Sequence, residues 1–318
     1  MDHTATQATG GRPVTSLIGL LLIPLFIGLL IAPHVYNAMW TAGRDSAFGA
    51  SYPGLAEFCR EAELEKVANR CVSLVALVLL VPMIRRSGLG PRIRDALRLR
   101  DGRWRDLVRA CAMGAVSMAA LYVAGLSLGY YKPPSDSVAG TEFLAKFLPF
   151  LSGAVFVGVF EEIFFRGFVY GALRSRLSLW PSVLLSSAFF GIIHFFRPKP
   201  PLPVEHATWT SAFELLPHLL GRFSLAADWP FLTTLFVMGI TLSILYERRQ
   251  HLWYAIGLHG GWVFAMQMGK HMLAMNRENP SWWFGNSDII AKGPIAIVVI
   301  LCFLFWSLTV SRAEPRKI

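Results

Sequence analysis

Long runs of apolar residues alternate with short polar stretches along most of this chain. A helix that spans a membrane needs about 20 mostly apolar residues, and eight runs approach or reach that length. They cover residues 16–38, 68–84, 107–128, 147–172, 179–196, 231–246, 252–269 and 293–311. The pattern predicts an all-α fold, a polytopic membrane helix bundle with about eight transmembrane helices.

Composition supports the membrane class, because 54% of the residues are hydrophobic and 16% are charged, against about 25% charged in soluble domains. The net charge of +10 raises the question of a nucleic-acid partner, but nine arginines crowd the segment 85–109 between two apolar runs. Basic residues concentrate in cytoplasmic loops. We therefore expect both termini to be cytoplasmic, no nucleic-acid partner, and an integral, multi-pass protein of the cytoplasmic (inner) membrane.

The stretch E-E-I-F-F-R at 161–166 places ionisable groups inside the fourth apolar run. An ionisable group at membrane depth costs roughly 2.5–3.5 kcal/mol on insertion scales, so it usually faces a polar cavity and marks function. Glu162 and Arg166 have the spacing and order of a favourable helical ion pair. Glu161 points about 100° away and needs water, a metal or another helix. Glu161 is the candidate general base, and the pair is either its support or a purely structural lock between helices.

Two histidines lie in later apolar runs. His194 follows Phe190 by one helical turn, and His259 lies in G-L-H-G-G-W, whose glycines permit close approach of another helix. Each histidine alone is compatible with an ordinary core or packing position. Together with Glu161 they form a set that can activate a water molecule, directly or through a bound metal.

The chain resembles the CPBP family, which contains CAAX prenyl endopeptidases and bacteriocin-processing (Abi) enzymes, over about residues 140–270. Three motifs carry the resemblance, in the family's order: Glu161-Glu162-x-x-x-Arg166, Phe190-x-x-x-His194 and a later His259. The resemblance implies that Glu161 activates the attacking water, that His194 assists, and that His259 stabilises the oxyanion. It further implies that Glu162 and Arg166 hold the site together.

One position departs from the family pattern. CAAX endopeptidases commonly have an asparagine four residues after the last histidine, and this chain has Val263 there. Valine offers no hydrogen-bond donor, so another group completes the oxyanion site or the substrate class differs. Gln267 and Trp262 are the nearby candidates to replace the asparagine.

The resemblance implies an intramembrane endopeptidase (a hydrolase) that cleaves a membrane-anchored or lipid-modified protein or peptide within the lipid bilayer. We expect no cofactor; the alternative is one divalent metal, Zn, held by Glu161, His194 and His259. Two other functions compete, a non-catalytic membrane scaffold with the family fold and an ion- or proton-coupled transporter. The sequence lacks the paired half-motifs expected of transporters with inverted repeats.

Three segments follow from this interpretation. Residues 1–130 hold N-terminal transmembrane helices with a basic cytoplasmic loop, 131–280 the CPBP/CAAX-protease-like catalytic core, and 281–318 a C-terminal transmembrane helix with a cytoplasmic tail. The interpretation also predicts a geometry. The polar atoms of Glu161, His194 and His259 should lie within about 3–7 Å of each other. A residue count from the cytoplasmic helix ends, however, places His259 roughly 10 Å shallower in the membrane than the other two.

Overall fold

Each of the eight predicted spans coincides with a helix. The computed structural model describes residues 13–99, 103–134, 140–195, 206–218 and 223–311; Arg100, residue 196 of the fifth span and the predicted tail beyond 311 lie outside these ranges. The helices are α1 (Pro13–Arg44), α4 (Leu64–Ser87), α6 (Arg103–Ser127), α7 (Gly140–Glu162), α9 (Leu179–Ile193), α10 (Leu225–Arg249), α11 (Trp253–Met272) and α12 (Pro294–Thr309). A π-helical segment (Ile163–Tyr170) and α8 (Gly171–Arg174) continue α7.

The prediction of an all-α, polytopic membrane bundle is confirmed. Among the described residues, five helices are long and apolar enough to cross a membrane, and α9 and α12 are shorter apolar helices. The five are α1, α4, α6, the continuous α7–π–α8 helix and α10. The protein is therefore an integral membrane protein, while the cytoplasmic location of its termini stays a prediction.

Short elements connect the long helices. They are α2 (Ser46–Ser51), α3 (Pro53–Arg60), α5 (Gly90–Ala96), 3₁₀ turns at Phe213–His218 and Ile290–Lys292, and the strands β1 (Tyr131–Lys132) and β2 (Ala274–Met275). The strands pair antiparallel, with Tyr131 opposite Met275. This two-stranded ribbon joins the ends of α6 and α11. Each strand has two residues, which are too few to show the alternating pattern that predicts a strand.

The chain divides into two compact units. The first comprises residues up to Gly88 together with 193–223, and the second comprises 89–192 and the residues from 224 onward. In the first unit, α1 packs on α4 at Gly28, where a Cβ would meet the backbone of Val72. Asn37 of α1 binds both backbone groups of Ala207, at 2.7 and 2.9 Å. The predicted segments 1–130, 131–280 and 281–318 have other bounds and stay a prediction.

The second unit is built around the glycines of α11. A Cβ at Gly257 or Gly261 would overlap carbonyl groups of α6, and one at Gly158 of α7 would lie 3.3 Å from the Gly260 nitrogen. Small residues let helix backbones approach closely. Helix α11 is thus held between α6 and α7, and this packing fixes where its histidine lies.

Candidate active site

The helix that carries E-E-x-x-x-R changes its hydrogen-bond register at this motif. Glu162 is the last residue of α7, and the π segment begins at Ile163 and includes Arg166. Single π turns inside α-helices are rare and occur frequently at functional sites. Despite the wider turn, Arg166 Nη1 donates to Glu162 Oε1 at 2.9 Å, so the predicted ion pair forms.

Glu162 is the centre of a fully buried polar cluster. Its Oε1 atom meets the Nδ1 atom of His259 at 2.8 Å as well as the Arg166 guanidinium. Arg166 Nη2 also donates to the Gly239 carbonyl of α10 at 3.2 Å. Glu162, Arg166 and His259 are all at most 2% exposed. Buried charges are tolerated when they are paired and hydrogen-bonded, and here the pairing joins three helices.

The hydrogen bond to Glu162 assigns the ring proton of His259. An ionised carboxylate only accepts hydrogen bonds, so Nδ1 of His259 is the donor, as the partner of a histidine commonly fixes its tautomer. Nε2 is then the nitrogen on the other side of the ring. It lies 3.8 Å from Glu161 Oε2. Nε2 accepts a hydrogen bond when the ring is neutral and donates one when the ring is protonated.

Glu161 is the accessible member of this group. Its side chain is 23% exposed, against 2% for His259. A separation of 3.8 Å is too long for a direct hydrogen bond and leaves the two atoms facing the same small space. The partner that Glu161 was expected to find on another helix is therefore His259. The expected depth difference between the two residues does not keep them apart.

Phe190 supports the cluster from α9. Its buried ring lies 4.7 Å from the Arg166 guanidinium carbon and meets the His259 ring edge to face at 5.9 Å between centroids. Cation–π and edge-to-face contacts of this kind favour one orientation of each partner. The phenylalanine of F-x-x-x-H thus positions the guanidinium of Arg166 and the imidazole of His259.

His194 is placed differently from the sequence expectation. Helix α9 ends at Ile193, so His194 lies in the turn that follows and not within the helix. Pro198 and Pro200 come shortly after in the sequence, and proline cannot continue a helix. His194 is half-buried and belongs to the first compact unit. Its convergence with Glu161 and His259 stays a prediction.

The structure separates the two candidate replacements for the missing asparagine, because the donor of one of them is already hydrogen-bonded elsewhere. Trp262 donates its indole N–H to Ser117 Oγ of α6 at 3.2 Å, so that donor is already committed to helix packing. Val263 and Gln267 are half-buried on α11. The proposal that Trp262 supplies an oxyanion donor is not supported by this geometry, and Gln267 remains a candidate.

The metal alternative was tested against the donor atoms. Glu161 and His259 provide two possible ligand atoms, and a zinc site in proteins normally uses three or four. Among the residues that the structure describes, no three His, Cys, Asp or Glu side chains are grouped to hold a metal ion. Glu161 and His259 alone do not complete a zinc site, and the alternative of a metal held by Glu161, His194 and His259 stays a prediction.

Sequence reasoning did not find two features of the site. The π segment depends on packing around the helix, and the Gly239 carbonyl is a backbone group without a side-chain signal. A cue for Gly239 existed in the sequence T-L-F-V-M-G-I-T at 234–241, because a glycine within an apolar helix often marks close approach of another element. A Cβ there would meet Ser187 of α9 at 2.8 Å.

Comparison with known proteins supports the motif assignment. Residues 143–265 match the family model described as type II CAAX prenyl endopeptidase Rce1-like. No curated protein and no solved structure matches the chain. The matched range contains Glu161, Glu162, Arg166, His194 and His259. The resemblance seen in the sequence is confirmed over residues 143–265, which are similar to the Rce1-like type II CAAX prenyl endopeptidases and support a membrane protease of the CPBP family.

Proposed function

We propose that this protein is an intramembrane endopeptidase that hydrolyses a peptide bond in a membrane-anchored or lipid-modified substrate. The observation that carries the proposal is the opposition of Glu161 Oε2 and His259 Nε2 across 3.8 Å. The Glu161 side chain is 23% exposed, although its Oε2 atom is buried, and the groups that hold His259 are buried. A water molecule between these two atoms meets a base on one side and an oriented imidazole on the other.

The proposed mechanism uses the form of His259 that carries a proton on both ring nitrogens. Glu161 and Glu162 contribute two negative charges, and Arg166 contributes one positive charge. A protonated His259 makes the group of four neutral, and neutrality lowers the cost of burying charges in a medium of low dielectric constant. Nδ1–H is bound to Glu162, so Nε2–H is the donor that faces the reacting atoms.

The reaction then follows in two proton transfers. The Glu161 carboxylate takes a proton from water as the water oxygen bonds to the carbonyl carbon of the substrate. The carbonyl oxygen becomes an oxyanion and accepts a hydrogen bond from Nε2–H of His259. The carboxylic acid of Glu161 then gives its proton to the leaving nitrogen as the C–N bond breaks. His194 keeps an assisting role on the ground of its motif alone.

Glu162 and Arg166 act through His259 and do not touch the substrate in this mechanism. Their role resembles that of the acid residue in a triad, which orients a histidine and stabilises its charged form. The Arg166 bond to the Gly239 carbonyl fixes the pair to α10. The site thus has one partly exposed group, Glu161, against a buried, hydrogen-bonded set.

The decisive experiment compares glutamate-to-glutamine changes at two positions. The full chain is purified in detergent micelles and incubated with a fluorogenic peptide that carries a lipid-modified cysteine near its carboxyl end. Glu161→Gln should lower the cleavage rate by about 10²–10⁴-fold, as expected for loss of a general base. Glu278→Gln makes the same chemical change at an exposed loop position and should retain the wild-type rate.

Two outcomes would overturn the proposal. If Glu161→Gln retained most of the wild-type cleavage rate, Glu161 would not be the general base. Loss of activity on dialysis against a chelator, with recovery on adding zinc, would recast Glu161, His194 and His259 as ligands. Thermal unfolding of each variant shows that a rate change is not a folding change.

A further inference from the structure

The loop between α4 and α6 presents an exposed basic surface that the proposed chemistry does not use. It consists of the exposed arginines of α5, of the residues directly after α5 and of the first turns of α6: Arg92, Arg94, Arg98, Arg105 and Arg109. Residues 89–110 contain seven arginines and three aspartates. Asp95 lies 3.8 Å from Arg98 at the surface, and Asp106 faces His251 at 3.2 Å. The positive charge of this surface is therefore mostly uncompensated.

The backbone beneath the basic surface is held in place by several contacts. Ile93 of α5 is buried against Gly167 of the π segment, where a Cβ would lie 3.2 Å from it. The carbonyls of Ala96 and Leu97 accept hydrogen bonds from Leu252 N at 3.1 Å and Trp253 Nε1 at 3.0 Å. The surface is thus preformed, and its arginine side chains project from a fixed support.

Exposed apolar side chains alternate with these arginines. Leu99, Trp104 and Val108 are 59%, 56% and 56% exposed. Trp104 and Val108 lie in the first turns of α6, which is one of the candidate membrane spans. Tryptophan and arginine at the end of a spanning helix are typical of the membrane–water interface. A mixed basic and apolar surface at this depth meets both the charged and the hydrocarbon parts of a lipid.

We propose that this basic surface binds the anionic headgroups of phospholipids in the leaflet that surrounds the start of α6. Charge complementarity selects an anionic partner, because clustered arginines next to a spanning helix attract acidic lipids. The depth of Trp104 and Val108 selects a lipid over a nucleic acid, since a polyanion in solution pairs with arginine and leaves those apolar side chains exposed. The inference is independent of the hydrolytic activity.

The test measures lipid preference on the full chain. The purified protein is incubated in detergent with equal amounts of phosphatidylglycerol and phosphatidylcholine, and the bound lipids are counted by native mass spectrometry. The wild type should retain phosphatidylglycerol preferentially, and high salt should weaken that preference. The triple variant Arg92→Gln/Arg94→Gln/Arg98→Gln should reduce the preference by about tenfold or more.

Matched variants separate this site from a general effect of charge. The triple change Arg60→Gln/Lys66→Gln/Arg70→Gln removes the same charge from exposed positions of the first unit and should keep the preference. Arg92→Lys/Arg94→Lys/Arg98→Lys retains the charge and should keep it too. Thermal unfolding checks that each variant is folded.

Four results would overturn the proposal. The first is a wild type without preference for phosphatidylglycerol, and the second is an equal loss in the two glutamine variants. The third is displacement of the lipid by millimolar inorganic phosphate, which would indicate a site for free phosphate. The fourth is tighter binding of a short single-stranded RNA than of the lipid, which would indicate a nucleic-acid surface.

Discussion

Helix α10 and the continuous α7–π–α8 helix meet at Arg166, yet their surroundings differ sharply. In its most apolar window α10 is 67% buried, while the α7–π–α8 span is 11% buried. Outward residues of α7 such as Leu148 and Phe156 are exposed. Near the site, threonines of α10 bond to its own carbonyls, as Thr241 does to Val237 at 2.8 Å. The peripheral helix thus carries Glu161, Glu162 and Arg166, and α10 contributes a backbone acceptor, the Gly239 carbonyl.

This difference teaches how a mostly exposed helix can carry buried charges. The α7–π–α8 helix turns Glu162 and Arg166 toward its one packed side, where α10 and α11 complete their hydrogen bonds. Burial along the helix as a whole therefore says little about the cost of changing one residue on it. The inward face and the outward face of the same helix should respond in opposite ways to substitution.

The largest effect is expected at Glu162. Glu162→Gln leaves the Arg166 guanidinium buried without its counter-charge, a loss of roughly 3–5 kcal/mol for a buried pair. That loss should lower the thermal unfolding midpoint by roughly 10 °C for a protein of this size, together with the yield of folded protein. Glu161→Gln is the neighbouring control and should leave the midpoint unchanged. Equal midpoints for Glu162→Gln and the wild type would show that the cluster is not a stabilising element.

A smaller contrast is expected between two glycines. Gly239→Ala on α10 places a Cβ 2.8 Å from Ser187 Cβ and should destabilise by about 1–3 kcal/mol, as overpacked cores do. Gly153→Ala on α7 meets nothing within 4 Å and should be neutral or stabilising by up to about 1 kcal/mol, from helix propensity. Thermal unfolding of both variants in one detergent measures the contrast. If both substitutions changed the unfolding midpoint in the same direction, the distinction between the central and the peripheral helix would be contradicted.

The smallest effect concerns the pH dependence of stability, through His251 just after the carboxyl end of α10. Burial, with Arg103 and Arg249 nearby, lowers the pKa of His251 to about 4, although Asp106 opposes the shift. In the unfolded chain the imidazole of His251 takes up a proton below about pH 6.5. In the folded chain it takes up a proton only below about pH 4. The free energy of unfolding should therefore fall as the pH drops through that window.

His251→Gln isolates this contribution, because glutamine does not titrate. The midpoint of the wild type should decrease by a few degrees more than that of His251→Gln between pH 7 and pH 4.5. Parallel decreases in the two proteins would show that His251 is not protected from protonation in the folded state. Carboxylates that titrate in the same range are common to both and cancel in the difference.

The helices and part of the site could be predicted because their signals are local. Apolar runs locate the spanning helices, and the spacing of Glu162 and Arg166 indicates their ion pair. The glycines around His259 indicate a close helix contact. Pro198 and Pro200 are a local signal for the end of α9 before His194. Other features depend on packing between distant residues: the nitrogen of His259 that faces Glu161, and the register change after Glu162. No window of sequence contains those interactions.

The π segment has a consequence for the permitted length of the chain. A π turn closes i→i+5 hydrogen bonds, so deleting one residue between 163 and 170 would allow this stretch to return to an α-helix. The flanking α-helical turns would stay close to register, because a π turn is the way in which a helix accommodates one extra residue. Glu161 and Glu162 precede the deletion and would keep their places, while a deletion before Arg166 would change its spacing from Glu162. This stretch should therefore tolerate the loss of one residue with less rotation of the following helix than a deletion within α7 would cause, where each residue accounts for about 100°.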